Sequence, residues 1–233
     1  MKIIKNHYLF LSLLCLTLII AFLYIDKGVT WQKELDNSSP ELRNNIHFKL
    51  GTELKQSVNL DQNDIYIALI NNEHISQNEW QYNKTFEVMK SKERNWSAPN
   101  NETIFNEIVE RKLIVDKAKQ TGLYPNKDEI DKFIKEQKIL MKSNQDIQSL
   151  LNGWMITEAE YINFMQEIWA DSIAIEKWYD NIIIPQINTT LLEDLNAYEE
   201  EYTRITNLEL SKLKDNAKII ITDEGNDLGI LYK

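Results

Sequence analysis

Residues 101–122 read NETIFNEIVERKLIVDKAKQTG, and the fold follows from how this stretch is read. Apolar side chains fall at Ile104, Phe105, Ile108, Val109, Leu113, Ile114, Val115 and Ala118. Steps of three and four place them on one stripe of a helix. Leu113, Ile114 and Val115 widen the stripe, so the helix is expected to be buried on more than one side. Gly122 ends it, because glycine enters the left-handed C-cap region without a Cβ clash. Leu123, Tyr124 and Pro125 follow, and Asn126 with Glu129 reads as a capping box opening a new helix. The unit is a helix, a glycine corner and a second helix.

Upstream, residues 64–70 (DIYIALI) are apolar and β-branched and read as a strand, with Asn71-Asn72 as a turn. His74 falls in the following strand-to-helix turn. Ser76 with Glu79 is a capping box for a helix to about residue 94, carrying Trp80, Phe86 and Met89. Residues 95–100 form a loop. Downstream, residues 127–142 form a helix with Ile130, Phe133, Ile134 and Leu140, and residues 146–151 a short one closed by Asn152-Gly153. Thr157 with Glu160 launches a helix over 158–181, Pro185 breaks the chain, and a further helix runs from 189 or 190 to 213. Residues 218–222 (KIIIT) are a second strand. Isolated strands are not stable, so residues 65–69 are expected to pair with 219–221. The fold class expected is mainly α, with a small two-stranded antiparallel sheet joining the two ends of the domain. Residues 223–233 read as a flexible tail.

Residues 8–25 (YLFLSLLCLTLIIAFLYI) are apolar apart from Ser12 and Thr17, and are long enough for a helix to cross a hydrocarbon core of about 30 Å. Lys2 and Lys5 precede them, which puts the N-terminus in the cytoplasm and the rest outside. A cleaved signal peptide would need small residues after the run, and Tyr24-Ile25-Asp26 offers none. A lipoprotein reading of Cys15 lacks the small residue before it. The expected organisation is residues 1–7 cytoplasmic, 8–25 an uncleaved transmembrane signal anchor and 26–63 a linker or stalk. Leu42, Ile46, Leu50 and Leu54 on the stalk suggest an amphipathic helix that also carries His47. The main domain, 64–222, is then extracytoplasmic at the cell membrane, in a single-pass protein.

A net charge of −10 argues against nucleic acid as a partner. Cys15 is the only cysteine, so there is no cysteine cluster for zinc and no intrachain disulfide. No P-loop or G-x-S-x-G motif occurs. Glu199-Glu200-Glu201 read as a solvated face, and residues 223–227 lack the EF-hand spacing for calcium. Sequons stand at Asn37, Asn83, Asn95, Asn101 and Asn188, a motif of weak specificity in an Asn-rich chain. No catalytic residue, metal site or cofactor is expected.

The order of pieces resembles the helical chaperone module of the SurA and PrsA foldases. The quoted resemblances are ALINNEHISQNEW, IVERKLIVDKAKQTG, NKDEIDKFIKEQK, GWMITEAEYINFM and the closing KIIIT, spanning roughly residues 64–222. The resemblance implies a SurA N-like fold that binds unfolded or exported polypeptides through apolar contacts. Relatives of that kind usually insert a parvulin prolyl-isomerase domain before the C-terminal helix. Here only residues 181–188 lie there, and a domain needs on the order of a hundred residues. Isomerase activity is therefore not implied. Candidate client-binding residues are Trp80, Trp96, Trp154, Tyr161, Phe164, Trp169 and Trp178, since aromatic side chains suit promiscuous apolar contacts; filling the core is the competing role for each. A dedicated envelope interaction or regulatory subunit with one specific partner is the alternative function.

Overall fold

The computed structural model describes residues 40–60, 65–93, 96–188, 195–230 and 232. The flank 1–7 expected to be cytoplasmic, the expected anchor at 8–25 and the first part of the expected stalk lie outside the described residues. Among the described residues no helix is long and apolar enough to cross a membrane. The protein is mainly helical with a small three-stranded antiparallel sheet. In chain order the elements are α1 (Pro40–Ser57), β1 (Tyr66–Ile70), β2 (Glu73–Ser76), α2 (Gln77–Glu93), α3 (Asn101–Gln120) and α4 (Lys127–Ser143). They continue with α5 (Gln145–Trp154), α6 (Glu158–Trp178), α7 (Leu195–Asp215), β3 (Ile219–Ile221) and α8 (Asp223–Asp227).

The two ends of the domain meet in the sheet. β1 lies between β2 and β3, and pairs with β3 at Ala68–Ile221, Leu69–Ile220 and Ile70–Ile219. The ladder continues at both ends, where Asn71 N–H donates to Lys218 O (2.8 Å) and Thr222 N–H to Ile67 O (3.1 Å). The expected end-to-end pairing is present, but the sheet has three strands. Glu73–Ser76, expected to be a turn, folds back on β1 as a hairpin, with Asn71 at φ 53° in its two-residue loop. Asparagine tolerates that left-handed backbone better than most residues. His74 therefore sits on an exposed strand position, its ring 4.3 Å from that of Tyr66. β2 escapes periodicity because its inward positions are Ile75 and Glu73. A buried glutamate is tolerable there only because Lys119 reaches it from α3.

α3 is the axis, as its stripe requires. Asn100 caps its start by accepting from Thr103 N–H (2.8 Å). Its end has the paired bonds of a Schellman motif, Leu123 N–H to Ala118 O (2.8 Å) and Gly122 N–H to Lys119 O (3.4 Å), with Gly122 at φ 74°. Both downstream capping boxes, Asn126/Glu129 and Thr157/Glu160, are complete. The one at Ser76 is half made: Ser76 Oγ accepts from Glu79 N–H (3.0 Å), while the Glu79 carboxylate turns inward.

Residues 40–57, assigned to the stalk, are part of the body. Leu50, Leu54 and Val58 are buried. α1 crosses α5 with the backbones in contact. A Cβ on Gly51 would stand 2.1 Å from Leu150 O, and one on Gly153 2.1 Å from Phe48 O. So Gly153 does not end its helix. α5 continues to Trp154 and closes on Met155, at φ 62°. Nor are residues 223–230 a loose tail. Thr222 caps α8, Ile230 is fully buried, and Tyr232 packs edge-on to Phe105 at 6.2 Å. Between α6 and the next described residues the chain makes a π-helical turn (Tyr179–Ile183) and a 3-10 turn (Ile184–Gln186) containing Pro185.

Candidate functional site

The structure disperses the aromatic candidates. Trp80, Trp154, Tyr161, Trp169 and Trp178 are buried and Phe164 is half-buried, so their chief role is core packing rather than an open client surface. Burial follows from size: each such ring hides 150–250 Å² of mostly apolar surface, worth several kcal/mol at about 25 cal/mol per Å². Trp154, Tyr161, Phe164 and Trp169 do come together. Ring centroids lie 5.4 Å apart for Trp154–Phe164, 6.3 Å for Trp154–Tyr161 and 6.0 Å for Tyr161–Trp169. Tyr82 and Phe133 extend this cluster at 5.3 Å from Phe164 and 5.8 Å from Trp169. Met89, Met141 and Met165 fill the gaps. Trp80 belongs to a different cluster beneath the sheet, and Trp178 to a third beside α7. Trp96 alone among the seven is well exposed, at 53%.

Sequence reasoning missed a polar seam along α3. Lys112, 3% exposed, donates to Asp171 Oδ2 on α6 (2.9 Å) and pairs with Glu79 Oε2 on α2 (3.2 Å). Arg111 reaches the other Glu79 oxygen (3.4 Å) and donates to Asn83 Oδ1 (2.9 Å). Tyr124, beyond the glycine corner, donates to Asp171 Oδ1 (3.4 Å). One turn on, Asp116 accepts from Asn71 Nδ2 and Gln120 Nε2 (both 2.9 Å), and Lys119 donates to both oxygens of Glu73 (2.7 Å each). The signal was legible: Ile108, Lys112 and Asp116 follow at four-residue steps, which puts two charges on the oily stripe.

The electrostatics explain why these charges are tolerated. Burial alone would lower the Lys112 ammonium, but Glu79 and Asp171 hold it above the usual lysine range. Burial pushes the Glu79 carboxyl up, against the pull of Lys112 and Arg111. Around Lys112 two cations face two carboxylates, so this part of the seam is charge-balanced and ties α2, α3 and α6 in one relative position. Its chemistry is that of an orienting lock. The aromatic cluster carries the opposite feature. Both polar atoms of the fully buried Gln137 and the indole Nε1 of Trp169 lack a hydrogen-bond partner among the described residues.

Among the described residues no group of three His, Cys, Asp or Glu side chains is placed to hold a metal ion. Comparison with known proteins finds no matching family model, no matching curated protein and no matching solved structure.

Proposed function

We propose that this chain is a membrane-anchored, extracytoplasmic chaperone-like protein with a SurA N-like module. It holds unfolded or exported polypeptides through apolar contacts, without prolyl-isomerase activity. The observation that carries the reading is the closure of β1 on β3 around α3, in the element order of the resembling module. The stretch after α6, where relatives place their isomerase, holds only two short turns before residue 187. Client contact falls chiefly to exposed apolar side chains such as Trp96, with Phe164 at the edge of the aromatic cluster. Residues 26–233 mixed with an unfolding client enzyme should delay its light scattering. Unchanged aggregation at stoichiometric excess would sink the proposal.

A second reading is a dedicated envelope interaction or regulatory subunit. Burial of Trp80, Trp154, Tyr161, Trp169 and Trp178 favours it, since it leaves little aromatic surface for promiscuous binding. Affinity capture of the full chain would then return one stoichiometric partner rather than a spread of exported proteins.

A further inference from the structure

We infer that the outer face of α4 docks on an anionic membrane surface. The inward side of this helix buries Gln137 and Met141 and half-buries Phe133 and Ile134. Its outward side carries Lys132, Lys135, Lys138 and Lys142, all exposed, with Ile139 at 63% exposure among them. Steps of three, three and four residues keep the lysines to one side over about 15 Å of helix. None of the four has an ion-pair or hydrogen-bond partner among the described residues. Asp128 and Asp131 stand one turn before Lys132 and Lys135 on the same side of α4, where Asp131 pairs with Lys127, and they mark the N-terminal limit of the strip. Glu129 is taken by Lys177 (2.6 Å), and Glu136 sits half-buried on the flank.

A strip of four unpaired cations on a chain of net charge −10 selects an anionic partner by charge. Ile139 selects a lipid surface over an acidic polypeptide. An apolar side chain ringed by lysines is how an amphipathic helix seats at the headgroup boundary. The apolar run 8–25 supplies the bilayer, and this step rests on the anchor reading. Residues 26–39 reach at most about 50 Å, so the tether keeps the lysine face at high effective concentration near the surface.

The test reconstitutes the full chain in nanodiscs of phosphatidylcholine alone or mixed with phosphatidylglycerol. Lysines are acylated with a water-soluble reagent and read by mass spectrometry. Lys132, Lys135, Lys138 and Lys142 should react about fivefold more slowly in the anionic discs. Lys212 on α7 should be unchanged, and the slowing should vanish in about 0.5 M salt. I139S should weaken the slowing. Equal rates in the two discs would overturn the inference. So would stronger protection by polyglutamate added to the neutral discs, which would mark an acidic polypeptide as the partner. If the chain washes out of both discs, the anchor reading fails separately. Co-sedimentation with anionic vesicles then decides: the inference requires wild type to bind more than the K132E/K135E/K138E/K142E variant, and equal binding overturns it.

Discussion

The core beneath the sheet and the aromatic cluster between α1, α5 and α6 solve the same burial problem differently. The first is built of Ile67, Ile70, Ile75, Ile104, Ile108 and Val109 around Trp80 and Phe105. It is closed by a backbone ladder joining the two ends of the domain. β-Branched side chains have few rotamers, and ladder bonds are directional, so this region has one good arrangement. The second mixes rings and Met89, Met141 and Met165 with Leu50, Leu54, Leu150 and Leu151 from α1 and α5, and holds Trp169 Nε1 without a partner among the described residues. Methionine adapts to irregular gaps, so the rings and methionines away from the α1–α5 crossing have more than one way to fill their space, while the glycine notches fix the crossing itself. Between them runs the charged seam of α3. By construction the sheet end is the more rigid and the aromatic end the more malleable away from its helix crossing, with an electrostatic lock between them.

Breaking the lock should have the largest effect. Lys112→Ala leaves Glu79 and Asp171 facing each other without their shared cation and should cost about 3–5 kcal/mol in urea unfolding. A loss below about 1 kcal/mol would mean the seam is not closed in solution. Alkali should then separate the two ends. Burial pushes the Tyr82 hydroxyl up to about 12 and the Tyr161 hydroxyl well above the usual phenol range, and both belong to the aromatic cluster. A phenol raised in the folded state contributes stability that is complete below pH 10 and is lost as pH rises through 12. Tyr82 alone then accounts for about 2–3 kcal/mol lost by pH 12. Hydrogen exchange at about pH 11 should show α5 and α6 opening before β1 and β3, and Tyr82→Phe should reduce the loss. Simultaneous opening of both ends would contradict the comparison.

Gly153→Ala tests how the malleable end is closed. Its Cβ would meet backbone, Phe48 O at 2.1 Å, which no side-chain movement relieves. The cost should be about 2 kcal/mol, with α1 exchanging faster than the sheet. Unchanged stability would show that α1 does not pack on α5 this closely. The smallest expected effect is a gain. Gln137→Leu replaces a carboxamide that has no partner among the described residues by an apolar side chain of comparable volume and should raise stability by about 1–2 kcal/mol. A loss would show that the amide is satisfied in solution.

Much of the fold was readable without coordinates, and the reasons are local. Apolar spacing marked α3, α4 and α6, and the boxes at Asn126 and Thr157 marked two helix starts, because these signals involve neighbours in sequence. What escaped was non-local. β2 needed Lys119 to neutralise Glu73, and α1 needed the notch at Gly153 to become more than a stalk. Gly225 packs against Ile67 O, which turned an acidic-looking tail into a docked element. The aromatic candidates failed for the same reason: a tryptophan's spacing shows that it lies on a face, not whether another helix covers that face.

The order of α1 to α7 with β1 and β3, the acidic balance, the single cysteine and the apolar run at 8–25 are properties of the chain itself. They follow from residue chemistry and from contacts a few positions apart. Tertiary structure alone decided that Glu79, Lys112 and Asp171 form one lock, that five of seven candidate rings are interior, and that the α4 lysines have no partner among the described residues. Those outcomes depend on which distant segments meet. Desolvation and charge pairing act through space, and no spacing along the chain records them.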